Sequence, residues 1–465
     1  ADAIYDAAWT IYWWYPDDEA YYEYYKKYES LAIASDNVYL FSNLITLYLN
    51  LFSISIRSQL EIEEHSSKIQ EKYQQFISDP SKPNTAIEAR ASYQLIRFFL
   101  GDSIDEIVEE LIVVLNDSNG HLDLDLYPLN RVIQEFPLLE EAKRYNELFE
   151  LGISIMSQQE KETTAALMLA RRGHFIKEEK PYEALVYFSR TLLSFYNESN
   201  KEYLISSVLE MAEIFERTGL LWAARNFYYY DFCLCLNQYM KFGEVYPAMF
   251  ISANALKFLE LRLGQIIYSS EFDFLENLGR HIYPGEISNS EESHANYDYL
   301  LAIQILRTPF EVIKQLEKFP FYLKERGFHF ASAAIKYELG YYDEDILADL
   351  NGDKIAFDDL MGKWKNQPAI EKMNNEPWYG FERPYILKTR VLGCSFEVWI
   401  SNSVEHGEVE VAATMLATIE SFFGTGISKE LISLAGIVKI HLNFDSGMDC
   451  LIKGDILHNK PNEIE

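Results

Sequence analysis

The sequence is poor in glycine and proline, and it has no long uninterrupted apolar run. Glycine and proline occupy only 21 and 14 of 465 positions, whereas turn-rich all-β, collagenous and Pro-rich disordered chains need far more of both. The richest apolar segment, from Val38 to Ile56, is broken by serine, threonine and asparagine, so we expect no membrane span. The chain opens on Ala1 without a basic and apolar leader, and we expect it to be a piece of something longer.

Basic residues are also scarce, at 41 Lys and Arg against 72 Asp and Glu, which leaves a net charge of −31. Such a surface repels phosphate backbones and anionic headgroups, so we expect neither nucleic acid nor membrane as a partner. Four cysteines form neither a disulfide framework nor a zinc pattern. We therefore expect reduced, buried thiols and a cytoplasmic location; the sequence leaves the oligomeric state open.

Recognisable catalytic and cofactor motifs are missing. There is no Walker loop, no G-x-G-x-x-G, no G-x-S-x-G and no H-E-x-x-H. The glycines of Gly424-Thr-Gly426 follow a helical pattern, so they predict a helix stop rather than a phosphate loop. The segment Asp349 to Asp359 resembles a calcium loop, but it lacks the required glycine and is one residue short. We predict no catalytic residue, no metal and no cofactor.

What is abundant is apolar and aromatic surface. Hydrophobic residues make up 48% of the chain, with 33 Tyr and 29 Phe, so the chain can bury a large core. Apolar residues recur at steps of three and four through most of the first 360 positions, as amphipathic helices require. Short polar turns separate these segments. The pattern predicts a mainly α protein built as an array of antiparallel helix hairpins.

The periodicity changes after Pro384. Apolar residues alternate from Leu392 to Ile400 and from Val438 to Phe444, which is typical of strands. Between them a helical stripe runs through Val411, Met415, Ile419 and Phe422. We therefore predict a small strand-helix-strand α/β unit at 385–465, after a hairpin array at 1–285 and further helical hairpins with a connecting loop at 297–384.

One hairpin carries a recognisable spacing of large, small, aromatic and glycine residues: Val208, Met211, Ala212, Phe215, Gly219, Ala224 and Tyr228. It resembles the tetratricopeptide repeat, and small residues at Ala212 and Ala224 would let two antiparallel helices approach closely. A similar set opens the chain, from Ile4 to Tyr24. A partial third match has Arg171 and Arg172 in place of the usual large and small pair, and no constant period links the three, so the array is degenerate.

The resemblance implies a right-handed superhelix whose concave face receives a protein or peptide partner. We therefore expect a protein-binding scaffold or recognition module of a larger intracellular assembly, without catalysis of its own. One alternative is an enzyme with a divergent site in the terminal unit, around His441 and Asp445 or near Cys394. Another is a purely structural spacer, whose concave surface would lack aromatic and charged clusters.

Six residues are candidates for partner binding. Arg171, Arg172 and His174 form the compact basic cluster of this acidic chain and could dock an acidic peptide or phosphate. Ion pairing with Glu178 and Glu179 would explain the same cluster. Aromatic candidates are Tyr21, Tyr25 and Tyr229, because tyrosine is favoured at interfaces. Packing between helices is the alternative role for these rings.

Overall fold

The computed structural model describes residues 1–15, 17–58, 62–79, 81–99, 101–118, 141–158, 161–282, 290–308, 310–350, 385–391, 393–400, 406–426, 436–444 and 450–458, with isolated positions between 352 and 362. These residues form two compact units, 1–172 and 173–465. The boundaries predicted near 285 and 384 lie outside the described residues and stay predictions.

The fold is mainly α with a small α/β unit at the C-terminal end, as predicted. In the first unit, each helix packs chiefly against its neighbours along the chain, and α3 also packs against α5. Its helices are α1 (Asp2–Trp14), α2 (Asp18–Ala34), α3 (Val38–Ser58), α4 (Glu63–Ile77), α5 (Pro83–Phe99), α6 (Ile104–Ser118), α7 (Tyr145–Gln158) and the main part of α8 (Glu162–Ile176).

Helix α2 begins at Asp18, where the Asp17 carboxylate accepts a hydrogen bond from the Ala20 amide (2.9 Å) and so caps the first turn. Helix α3 is long and apolar enough to cross a membrane by length and composition, through Val38–Ile56. In the structure, 44% of this apolar stretch is buried. Apolar residues of α3 such as Leu44 and Leu51 are fully buried, so the helix serves as a core element of the first unit.

The second unit continues the pattern of helices packed in sequence. Its helices are α9 (Pro181–Phe195), α10 (Lys201–Arg217), α11 (Leu221–Phe242), α12 (Pro247–Arg262), α13 (Ile266–Ile282), α14 (Ser290–Leu306), α15 (Phe310–Ile313), α16 (Phe319–Glu325), α17 (His329–Glu338) and α18 (Asp343–Asp349). Helix α14 packs against α17 rather than against its immediate neighbour. Around it lies a buried cluster that includes Leu301, Ile305 and Ile335.

Helices α10 and α11 pack against each other as a hairpin. Ala212 and Ala224, the small residues of the predicted crossing, are both 0% exposed. Gly219 has a φ of 81°, the left-handed conformation that ends a helix and that side chains other than glycine adopt at a cost. The Leu220 amide then donates to the Phe215 carbonyl (2.9 Å). The turn therefore directs α11 back along α10.

The terminal sheet has four strands in the order β1 (Tyr385–Val391), β2 (Cys394–Ile400), β3 (Gly436–Phe444) and β4 (Cys450–His458). The outer pairs are antiparallel, and β2 and β3 are parallel, joined through helix α19 (His406–Gly426). The prediction of strand, helix and strand was incomplete, because β1 and β4 flank that core. The alternation in β2 is confirmed: Phe396, Val398 and Ile400 are buried.

Helix α19 packs against α9 and α11 with a different face from the predicted one. The predicted helix is present, but Val411 and Phe422 of its stripe are 41% and 64% exposed, so the stripe is not the buried face. The buried face is built mainly from small residues: Val409, Ala412, Ala413, Leu416 and Ala417. Gly424 lies in the last turn of α19, which extends to Gly426 as the predicted helix stop at Gly424-Thr-Gly426 requires. A Cβ at Gly424 would come 2.8 Å from the Phe215 ring. Small side chains allow this close approach.

A buried carboxyl group joins α19 to the start of α11. Glu420 is 0% exposed, accepts a hydrogen bond from the Ala223 amide (2.7 Å) and contacts the Thr389 hydroxyl. Burial raises the pKa of Glu420 to about 7. Beside it, the Trp222 indole donates to the Lys388 carbonyl (3.1 Å). The terminal unit is therefore attached to the first turn of α11 partly through main-chain atoms.

Candidate functional site

Three glutamates at intervals of three, Glu210, Glu213 and Glu216, project from one face of α10. Residues at this spacing lie on the same side of a helix. The opposite face is buried, with Val208, Met211 and Phe215 in the core. We call the surface around the three glutamates the charged face; it also includes residues at the end of α8, at the turn after it, and on α11 and α12.

Glu210, the first of the three glutamates, forms ion pairs with two basic side chains. Glu210 contacts His174 Nδ1 through Oε1 (2.8 Å) and Lys177 Nζ through Oε2 (2.5 Å). Further along the same surface, Arg217 forms an ion pair with Glu178 and donates to the Lys177 carbonyl. These contacts fix the segment after α8 to α10, and they are partly exposed, so each contributes little stability on its own.

The third glutamate is held from the other side. Glu216 Oε1 lies 2.7 Å from Arg262 at the end of α12, and Oε2 accepts a hydrogen bond from the Tyr228 hydroxyl (3.0 Å). Burial, followed by the nearby carboxylates Glu216 and Glu213, raises the pKa of Tyr228, so the phenol stays protonated and acts as a donor. Glu216 therefore links α10, α11 and α12.

The second glutamate lies between these fixed neighbours, at the wall of an open pocket of about 330 Å³. The pocket is lined by Glu213, Glu216, Arg217, Tyr228 and Arg262. Among the residues that the structure describes, Glu213 is the pocket carboxylate with no ion pair. Partial desolvation and the neighbouring Glu210 carboxylate raise the pKa of Glu213. A cation placed beside Glu213 would relieve both effects.

The pocket is therefore suited to bind a basic side chain. Its volume lies at the small end of the range for ligand pockets. The Tyr228 ring forms an apolar wall, and Glu213 offers a negative end. Its two arginines are already paired, Arg217 with Glu178 and Arg262 with Glu216. The unsatisfied charge of the pocket is thus negative rather than positive.

The predicted basic cluster does not form one docking surface. Arg172 is only 6% exposed, and its guanidinium lies 4.9 Å from the centre of the Tyr145 ring, which is a packing position. Arg171 is exposed. His174 contacts Glu210, and Glu178, one of the expected acidic partners, pairs with Arg217 instead. Helix geometry turns Arg172 into the core, whereas Arg171 and His174, three positions apart, both lie on the exposed side.

Two of the tyrosine candidates are core residues, so their rings offer no free surface. Tyr21 and Tyr25 are 1% and 0% exposed, and the Tyr21 hydroxyl donates to the Leu47 carbonyl (2.7 Å). Tyr229 is half-buried: the Arg225 guanidinium lies 4.8 Å from the centre of its ring. For all three, the packing role that the sequence left open describes their positions better than partner binding.

Arg225 is the centre of a buried ion-pair cluster that stabilises the second unit. It contacts Glu260 of α12 (2.7 Å) and Glu410 of α19 (2.7 Å). Glu260 is fully buried, and this desolvation raises its pKa even though Arg225 opposes the shift. These groups neutralise one another within the core, and their contacts are structural.

Cys394, the thiol named for the alternative enzyme site, is not activated. Its Sγ lies 3.4 Å from the Gly436 carbonyl, and burial raises its pKa, whereas a nucleophilic cysteine needs a lowered pKa. His441 lies beside Trp399, with ring centres 5.7 Å apart. Asp445 lies outside the described residues. In the part of the chain that the structure describes, no group of three or more His, Cys, Asp or Glu residues could hold a metal ion.

Glu213 is a functional candidate that the sequence-based choice of residues missed, although the signal is present. The segment Glu210-Met-Ala-Glu213-Ile-Phe-Glu216 places three carboxylates on one side of a helix. Its apolar positions carry the resemblance to the tetratricopeptide repeat, and the polar ones lie outside that pattern. The partners Arg262 and Lys177 come from distant parts of the sequence, so which glutamate stays unpaired could not be predicted.

Comparison with other proteins adds no family to this geometry. No protein-family model matches the chain, and no curated protein is significantly similar to it.

Proposed function

We propose that this chain is a protein-binding scaffold of the helical-repeat type, similar in its hairpins to tetratricopeptide repeats. It recognises a partner segment on the charged face of α10. The partner presents a lysine or arginine side chain, which enters the pocket beside Glu213.

The observation that carries the proposal is an unpaired carboxylate in a pocket whose other charges are matched. Glu210 and Glu216 each have basic partners within 2.8 Å, whereas Glu213 has none among the described residues. A partner ammonium or guanidinium would complete the pattern without breaking an existing pair.

The position of the pocket supports the same function. It is built by α10, α11 and α12 together, so the stacking of hairpins creates it, as stacking creates binding surfaces in repeat proteins. The net charge of −31 also favours encounter with basic segments and disfavours acidic ones. We therefore replace the acidic peptide considered for the Arg171 region with a basic one.

The experiment is selection of random 12-residue peptides displayed on phage against the full chain, followed by fluorescence anisotropy with the selected peptides. We expect enrichment of lysine or arginine and a weakening of binding on raising salt. Glu213→Gln should weaken binding about fivefold, since a partly exposed ion pair contributes about 1 kcal/mol.

The matched control is Glu202→Gln, which removes the same charge from an exposed position on the same helix. Binding should stay within about twofold of the wild type, as expected for screened charges far from the site. Selected peptides without basic residues, or equal effects of both substitutions, would contradict the proposed pocket.

A further inference from the structure

A second polar cluster lies in the first unit, where α4 packs against α2. His65 of α4 is placed between two residues of α2: its Nδ1 lies 2.6 Å from Glu29 Oε1, and its Nε2 lies 3.1 Å from the Tyr22 hydroxyl. The side chains of Glu29 and His65 are only 6% and 7% exposed. Tyr22 is half-buried, so solvent reaches its side chain.

The hydrogen-bond chemistry assigns a direction to this relay. A carboxylate only accepts hydrogen bonds, so Nδ1 of His65 must donate to Glu29. The Tyr25 hydroxyl donates to the same carboxylate oxygen (3.2 Å). In a neutral imidazole the other nitrogen then carries a lone pair. Nε2 of His65 accordingly accepts the hydrogen bond from the Tyr22 hydroxyl.

The imidazole is held in place on several sides. Its ring meets Tyr25 edge to face, with centres 5.1 Å apart and an angle of 89°, and meets Tyr22 at 5.6 Å and 84°. Lys68 lies 3.6 Å from the second oxygen of Glu29. Glu29 is therefore a positioning residue, which fixes the tautomer and orientation of His65.

A hydroxyl within hydrogen-bond reach of a base that a third group orients is the arrangement of an activated nucleophile. Tyr22 has that arrangement. Two ammonium groups belong to the same cluster. Lys26 Nζ lies 4.6 Å from the centre of the Tyr22 ring and also contacts Glu23, and Lys68 contacts both Glu29 and Glu64. Ammonium groups in the cluster would attract an anionic electrophile.

We propose that Tyr22 is a base-activated tyrosine that accepts a phosphoryl group from a phosphoric anhydride, making this cluster a covalent modification site. In the step, Tyr22 Oη forms a bond to phosphorus, and the bond from phosphorus to the bridging oxygen of the anhydride breaks. The phenolic proton passes to His65 Nε2, and the leaving phosphate keeps the electron pair. The site lies within the first unit and does not depend on the pocket at Glu213.

The test uses an alkyl fluorophosphonate as the electrophile, with fluoride as the leaving group. The full chain is labelled briefly and digested, and the labelling rate at each tyrosine is measured by mass spectrometry. Tyr24 is the matched control. It lies on the same helix and is also half-buried, but the group beside its ring is the ammonium of Lys27, 4.9 Å from the ring centre, instead of an imidazole.

We expect Tyr22 to react at least about tenfold faster than Tyr24. A well-placed general base accelerates a reaction by about 10²–10⁴-fold. Equal rates at the two tyrosines in the wild type would overturn the proposal, and this measurement needs no variant.

His65→Gln should bring the Tyr22 rate to within about twofold of Tyr24, because the amide cannot take up the proton. An unchanged ratio would refute the role of His65. Glu29→Gln keeps an acceptor for Nδ1, so it should retain more of the Tyr22 excess than Glu29→Ala. Equal loss in both would remove Glu29 from the positioning role, and a constant Tyr24 rate would show that α2 remains folded.

Discussion

The buried carboxyl group of Glu420 makes the stability of the second unit depend on pH. Burial raises its pKa from 4.5 to about 7. Between these two pH values, the Glu420 carboxyl is therefore protonated in the folded chain and ionised in the unfolded chain. The stabilisation is complete below about pH 4.5 and is lost as the pH rises to about 7. Because one pKa unit corresponds to about 1.4 kcal/mol, the loss is about 3 kcal/mol.

The substitution Glu420→Gln tests this reasoning. Glutamine resembles the neutral acid: its carbonyl can accept from the Ala223 amide, and its amide can donate to Thr389. We expect the difference in unfolding free energy between pH 5 and pH 8 to shrink by about 2.5 kcal/mol relative to the wild type, because a small part of the effect is already lost at pH 5. Urea denaturation followed by circular dichroism at both pH values measures it.

The exposed carboxylate of Glu202 provides the control, since Glu202→Gln should leave the pH difference almost unchanged. If Glu420→Gln has no larger effect on the pH difference than Glu202→Gln, the Glu420 carboxyl does not carry the proton that the structure assigns to it. A larger pH dependence in the glutamine variant than in the wild type would contradict the direction of the pKa shift of Glu420.

Three further substitutions probe the packing of the second unit, each measured by thermal or urea denaturation. Gly219→Ala places a Cβ at a φ of 81° and should cost about 1 kcal/mol; no loss would argue against the left-handed turn. Gly424→Ala brings a Cβ 2.8 Å from the Phe215 ring and should cost about 1–3 kcal/mol, part of which Phe215→Leu should restore. Arg225→Leu leaves the buried carboxyl of Glu260 without its cation and should cost about 3–5 kcal/mol, whereas a loss below about 1 kcal/mol would contradict the buried pair.

The helical part of the fold could be predicted from sequence because its signals are local. Alanine at positions 212 and 224, with Gly219 between them, specifies a close hairpin through residue size and backbone conformation alone. The structure has a hairpin at this position, with both alanines buried and Gly219 at a positive φ. Alternation in β2 likewise identified its buried side.

The orientation of α19 could not be predicted in the same way. The larger apolar residues Val411 and Phe422 predicted one face, but alanines and the carboxyl of Glu420 form the buried one. Small residues are needed on the face of α19 that packs against α11, because these two helices lie close together. The sequence of α19 alone does not show which helix it packs against.

The candidate site shows the same limit. Basic residues 171–174 are one cluster in the sequence, but burial of Arg172 against Tyr145 separates them. Pairing among glutamates and basic residues depends on which helices meet. Within the described part of the chain, Glu213 is left without an ion-pair partner because Lys177 and Arg262, which are distant in the sequence, pair with its neighbours Glu210 and Glu216. His65 likewise contacts Glu29 and Tyr22 from a distant part of the sequence.

The attachment of α19 and β1 to the first turn of α11 also affects how the chain is made. The Trp222 indole and the Ala223 amide find their partners 166 and 197 positions later. A ribosome adds about 5–20 residues each second, so these groups wait on the order of ten seconds or more for Lys388 and Glu420 to be synthesised. During that interval the nascent hairpin exposes the surface that α19 later covers, and a chaperone that binds apolar surface would have its opportunity there.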